Sequence, residues 1–236
     1  IMATNHCSFN GEFVRINLYQ GEQNKPYGHD YALARISNAG FKDGQNVITS
    51  PKLMEFAESL KWLRGKNVEY AAFHWDGETT GYGVSIDKFV DELKDPVGFK
   101  KWWTEHLDHA VDIFRMAKAL SPIHTISTVR GARSAYRREH IAGGGYADVF
   151  DGYRIAVIGG SLELPLLFDE VIWGENTHAG YSEVTLGVVP GMCGVLSTIL
   201  KAGRHNAERL IESGGSIDGK LALAIGMADQ VAPEHA

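Results

Sequence analysis

The chain has 236 residues, 44% apolar and 22% charged, with a formal net charge of −6. That length can bury a large core, and that charge argues against nucleic acid or an anionic membrane as partner, since phosphate binding depends on clustered Lys and Arg. No apolar run reaches the roughly 20 residues that span a bilayer, and Cys7 and Cys193 are too few for a disulfide framework or a cysteine zinc site.

The first residues, IMATNHCSFNGEF, show neither a basic leader nor an apolar signal segment, and Ile1 ahead of Met2 reads as an appended residue. A reduced, cytoplasmic domain of enzyme size is expected. Glu12 to Tyr19 alternates apolar and polar residues as a strand does, and Tyr31 to Ile36 is expected to be its hairpin partner. Ser50-Pro51 opens a helix, with serine as N-cap and proline at the first helical position; Leu53, Phe56, Ala57, Leu60 and Leu63 give its buried face. Val68 to Trp75 is a strand that runs into the glycine loop DGETTGYGVS. A helix follows from about Ile86 to Leu93, with Phe89, Val90 and Leu93 on one face. Strand, glycine loop and helix together present backbone N–H groups to a ligand oxygen.

Trp102 to Leu120 reads as a long amphipathic helix, ended by Pro122 before the strand Ile123 to Val129. Arg130, Arg133, Arg137 and Arg138 then precede a triple glycine, Gly143 to Gly145. The strand-like IAVIGGS leads into an apolar helix, Leu162 to Phe168, and Glu170 to Trp173 forms a short strand. Helices are expected over Val195 to Glu212 and Leu221 to Met227. Alternating strands and helices without a repeat argue one α/β domain over residues 1–236.

Chemistry concentrates between Ile155 and Gly194, where Glu163 and Glu183 stand twenty positions apart among apolar and turn-forming residues. Glu163 alone could be a helix-start acid favoured by the dipole. IAVIGGS could be the turn of a dinucleotide fold, but it lacks the third glycine at the required spacing and Pro165 comes early in the helix. Ser161 is not in a G-x-S-x-G elbow. Glu105, His106, Asp108 and His109 lack the H-E-x-x-H spacing, so a solvated helix face is expected there. Trp75, Tyr82, Trp102 and Trp103 are expected in the core or a subunit contact rather than an acyl pocket, and Cys193 as a small buried filler. The arginines form a solvated face or meet coenzyme A phosphates or a substrate carboxylate.

Four segments carry a resemblance. Asn46-Val47-Ile48 with the helix after it is similar to a family's first strand-to-helix passage, and TGYGVSIDKF to its first oxyanion loop. Gly159-Gly160-Ser161-Leu162-Glu163-Leu164, ending at Asp169, is similar to the Gly-Gly-Gly-x-Glu-Leu motif. Tyr181 to Gly187, followed by Pro190-Gly191, is similar to the motif that holds the second acid. In this order, from Gln45 to Pro233, the sequence resembles the crotonase superfamily of enoyl-CoA hydratases and isomerases. The resemblance implies a crotonase-like ββα spiral fold with a single core domain and a C-terminal helical region that is short or missing.

By the same resemblance, the N–H groups of Val84 and Gly160 form an oxyanion hole and Glu163 and Glu183 an acid/base pair. Glu183 then exchanges the α-carbon proton and Glu163 orients and deprotonates water, while Tyr82, Gly83, Gly159, Gly191 and Arg133 line the substrate. The implied substrate is an acyl-CoA or acyl-carrier thioester. The implied reaction is enoyl hydration or dehydration, with isomerisation, decarboxylation, C–C hydrolysis or non-catalytic thioester binding as alternatives. Neither a metal nor a cofactor is implied, coenzyme A entering as part of the substrate; a homo-trimer or hexamer is expected. The physics agrees: an enolate oxygen needs two fixed donors, which backbone amides at glycine turns supply, and two carboxylates can divide acid from base work if their pKa values are pushed apart.

Departures are visible too. Pro122 to Glu163 spans 41 positions, which implies an insertion at about 132–157, and Ala147 stands where the triple glycine would require an acid. Ser85 replaces the family's frequent Asp and Ser161 its third glycine. The chain ends at Ala236, where relatives continue into helices that cover the site and build trimers, so those helices are expected to lie outside this chain or to be replaced by a shorter architecture.

Overall fold

The structure, a computed structural model, describes residues 8–21, 29–37, 47–76, 80–81, 83–84, 86–131, 134–140, 146–153 and 157–233. The chain opens with strands β1 (Ser8–Asn10), β2 (Val14–Tyr19), β3 (Tyr31–Ile36) and β4 (Val47–Ile48), then helix α1 (Ser50–Arg64). Next come β5 (Tyr70–Trp75), β6 (Gly83–Val84), α2 (Ile86–Glu92), α3 (Pro96–Lys118) and β7 (His124–Val129). A hairpin of β8 (Ser134–His140) and β9 (Tyr146–Tyr153) precedes β10 (Val157–Ile158) and the single turn α4 (Gly160–Glu163). The rest is β11 (Glu170–Gly174), β12 (Ala179–Gly180), α5 (Gly194–Ser213), β13 (Ser216–Ile217), α6 (Gly219–Ala224) and β14 (Gln230–Ala232), with 3-10 turns at Pro165–Leu167 and Glu183–Leu186.

The main sheet has seven strands in the order β1-β2-β3-β5-β7-β11-β14. Its first two pairings are antiparallel, as the hairpin pattern predicts, and from β3 onward all are parallel. A three-stranded sheet, β10-β12-β13, and a two-stranded pair, β4-β6, complete the layers around the site.

Two apolar clusters fill the molecule, one under α1 and α3, the other under α5 and α6. They meet at α4: Leu162 belongs to the second and Leu164 to the first. In the first cluster the Phe73 and Phe168 rings stack at 4.1 Å, with Phe56 edge-on to both. This contact ties the segment just after Glu163 to the centre of the main sheet.

Several expectations change in detail. Thr49, not Ser50, is the N-cap of α1; its side chain accepts the Lys52 N–H, and Ser50 is the first helical residue. Helix α3 starts at Pro96 because Asp95 caps it and accepts the Val97 N–H at 3.1 Å; Gly98 hides this start by interrupting the apolar period. The apolar helix over Leu162 to Phe168 is one α-turn and a 3-10 turn. Pro165 has no N–H to continue the ladder. Phe89 of α2 is buried, whereas Val90 and Leu93 are each 48% exposed. Gly143 to Gly145 and Arg133 lie outside the described residues. Among the described residues no helix is long and apolar enough to cross a membrane.

Candidate active site

The site is assembled on the two residues of β10. On one side β10 pairs with β12, and the Gly159 N–H reaches Gly180 O at 3.0 Å. On the other it bridges to Gly81, with the Ile158 N–H donating to Gly81 O at 3.1 Å. Three distant segments, 81–84, 157–163 and 179–183, are thereby laced together. A further tie comes from Ser161, whose buried hydroxyl accepts the Gly83 N–H at 2.8 Å. The serine thus fastens Gly83 to α4.

Gly160 is the first residue of α4, so its N–H has no intrahelical acceptor. Among the described residues nothing else takes it. Gly159 precedes it at φ 55°, in the region that favours glycine. Its missing side chain also matters, because Glu183 Oε1 occupies the place a Cβ would take.

Glu163 is 1% exposed. Its Oε2 accepts the Met192 N–H at 2.6 Å and the Gly194 N–H at 2.5 Å, where the chain turns into α5. A side chain on Gly194 would collide with this carboxylate. Burial, and then the charge of Glu183, push Glu163 up to about 8, while the amides of Gly194, Met192 and Gly191 pull the other way. Glu183 is raised as well, by burial, partly offset by a bond from its own backbone. Its Oε2 is buried and has no hydrogen-bond partner among the described residues. The phenol of Tyr181 beneath the pair is held at 2.5 Å from Thr198 Oγ1 and raised well above its ordinary value by burial and by Glu163. Burial and Glu163 also raise the Cys193 thiol, which keeps it protonated and supports its role as filler.

Both acids face one cavity of about 260 Å³, lined also by Gly83, Val84, Gly159, Gly160 and Gly191. Seven of the expected site residues are therefore brought together; Tyr82 and Arg133 lie outside the described residues. Phe89, Trp103, His106 and Met192 also line it and were not expected. Trp103 is pocket wall rather than core alone, its ring packed against Gly191. Trp75 is buried in the first cluster, and Trp102 belongs to the aromatic group around Phe89 and Phe99.

His106 corrects the reading of a solvated face. It is 1% exposed, stacked on Trp103 at 5.6 Å and 9°, and neither ring nitrogen has a partner among the described residues. Burial, and then His109, lower its pKa to about 4, so the ring is neutral. The missed signal was the period: His106 shares the buried stripe of α3 with Ala110, Ile113 and Ala117, and Glu105 and Asp108 do not. Each unpaired buried polar group costs about 1–3 kcal/mol. Among the described residues no cluster of three or more His, Cys, Asp or Glu side chains could hold a metal ion.

A mixed α/β core with a laced glycine turn beside a buried and a half-buried glutamate is the crotonase fold, and solved structures agree. An enoyl-CoA hydratase structure from Geobacillus kaustophilus superposes with a TM-score of 0.68 at 18% identity, covering 97% of this chain and 71% of that one. One from Thermoplasma volcanium gives 0.64 at 17%, covering 93% and 72%. The sequence profile of the Enoyl-CoA hydratase/isomerase family matches residues 152–236. The 2,3-dehydroadipyl-CoA hydratase of Escherichia coli is 38% identical over 76 residues, 32% of this chain and 30% of that protein. The match thus spans less than a third of that relative's length.

Proposed function

We propose that the protein hydrates and dehydrates 2-enoyl thioesters of coenzyme A or an acyl carrier, through an enolate held by the N–H groups of Val84 and Gly160. The observation that carries this reading is the convergence of two raised glutamates, Glu163 buried and Glu183 half-buried, on one cavity that Val84 and Gly160 also line. Two such carboxylates share one proton near neutral pH. Burial leaves that proton on Glu163 before substrate binds. Amide donors stabilise ionised Glu163, whereas Glu183 Oε2 has none among the described residues, so the proton passes to Glu183 when water and substrate bind.

In the hydration direction the water O–H bond breaks toward Glu163 as its oxygen bonds to the β-carbon. The displaced electron pair moves to the thioester oxygen, and Glu183 then delivers its proton to the α-carbon. The pair ends with the one proton it began with. A homo-oligomer in the cytoplasm belongs to the same proposal; the exposed Val189 and Leu200, at 67% and 63%, support a covered face.

Crotonyl-CoA hydration, followed by loss of enoyl absorbance, tests the reading. Glu163→Gln and Glu183→Gln should each lower kcat by about 10²–10⁴, and only Glu183→Gln should also abolish exchange of the α-proton of the saturated product with solvent. Wild-type rates in both variants would sink it.

A further inference from the structure

The cavity holds one feature that the hydration chemistry leaves unused. His106 lies in its wall across from the glycine turn, with two buried nitrogens that no described residue satisfies. A buried polar group without a partner calls for an explanation, and an incoming ligand is the one the position offers. The ring rests flat on Trp103, so it can turn within the stack and present a nitrogen to the cavity without losing its apolar contact.

From this geometry we infer that His106 recognises an uncharged oxygen function, a hydroxyl above all, on the acyl portion of the substrate. A neutral imidazole suits a hydroxyl well: the nitrogen that faces the cavity either donates its N–H to the hydroxyl oxygen or accepts the hydroxyl hydrogen, according to the tautomer. A carboxylate is disfavoured on two grounds. The described lining contains no Lys or Arg, and it already holds Glu163 and Glu183, so a third negative group would meet repulsion and no counter-charge. A plain alkyl chain fits the apolar wall of Phe89 and Trp103 but leaves the imidazole as unsatisfied as it is in the empty site. Sites built around a polar partner discriminate strongly against analogues that lack it.

This inference rests on the thioester reading, and the experiment separates the two. The probes are enoyl-CoA thioesters of four, six and eight carbons, each as the alkyl, ω-hydroxy and ω-carboxy form, together with their saturated, unreactive thioether analogues. They are measured for kcat/KM and for calorimetric Kd with the wild type, His106→Leu and His106→Gln. At the chain length that fits, the wild type should favour the hydroxy form over the alkyl form by about tenfold or more. His106→Leu should erase or invert that ratio, and His106→Gln should retain part of it. A purely structural histidine would lower all substrates alike and leave the ratio unchanged. An unchanged ratio in His106→Leu, or a wild-type preference for the carboxy form, overturns the inference. Thioethers that bind with the hydroxy preference but thioesters that never turn over would defeat the hydration reading and uphold the role of His106. Absence of binding by every thioether would defeat both.

Discussion

The two walls of the cavity are built differently. The wall from Gly159 to Gly194 is held by main chain: Glu163 hangs from two amides, Glu183 leans on a glycine, and β10 is paired on both sides. The opposite wall, from α2 and α3, is made of side chains: Trp103, with Phe89 and His106 each in ring contact with it. Backbone bonds fix atoms to fractions of an ångström and suit reacting groups, whereas side chains can be exchanged without moving the turn. The family profile covers 152–236, which contains the first wall and not the second.

Three substitutions can break or sharpen this contrast. Phe168→Ala undercuts both walls, because its ring joins α4 to the main sheet; urea unfolding should show a loss of about 3–5 kcal/mol. Gly194→Ala should break the first wall alone. Alanine is a good residue for the start of α5, yet its Cβ lands on Glu163, so kcat should fall about a hundredfold, with a loss of about 1–3 kcal/mol in stability from the overpacking. In the second wall, Trp103→Leu should change KM and chain-length preference more than kcat. Equal effects of these two on kcat would erase the distinction.

Next in size is a pH effect. Glu163 binds its proton more tightly in the folded chain, where its pKa is about 8 against an ordinary 4.5. Its contribution to stability is therefore complete below pH 4.5 and lost as pH rises through 8, by at most about 1.4 kcal/mol per pH unit. Unfolding free energies measured from pH 5 to 9 should fall more steeply for the wild type than for Glu163→Gln; equal slopes would refute this. Smallest is Ser161→Ala, which leaves the Gly83 N–H unpaired and loosens the oxyanion loop, lowering kcat about tenfold, with Ser161→Thr restoring part of the rate.

Much of this was readable from residues. The β2–β3 hairpin, the buried stripe of α1 and the parallel strands follow from local period and turn chemistry. The two acids were legible because the glycine turn and the twenty-residue interval stand close together in the chain. The second wall was obscured for a physical reason. His106 sits between charged Glu105 and Asp108, and its burial depends on α3 lying against the glycine turn, a contact between segments about 50 positions apart. Ser161 looked like a lost glycine; only the approach of Gly83 shows what its hydroxyl does.

The hairpin β8–β9 has its own consequence. The chain enters it just after Arg130 O accepts the Thr80 N–H at 2.7 Å and the Gly131 N–H donates to Thr177 Oγ1 at 2.9 Å. It returns at Val157, which bridges to Gly81. Both ends of the excursion are clamped by the same short stretch, Thr80-Gly81. Evolution can therefore lengthen, shorten or replace what lies between as an interchangeable module, and the amides of Val84 and Gly160 would stay in place while the molecule acquires a new rim.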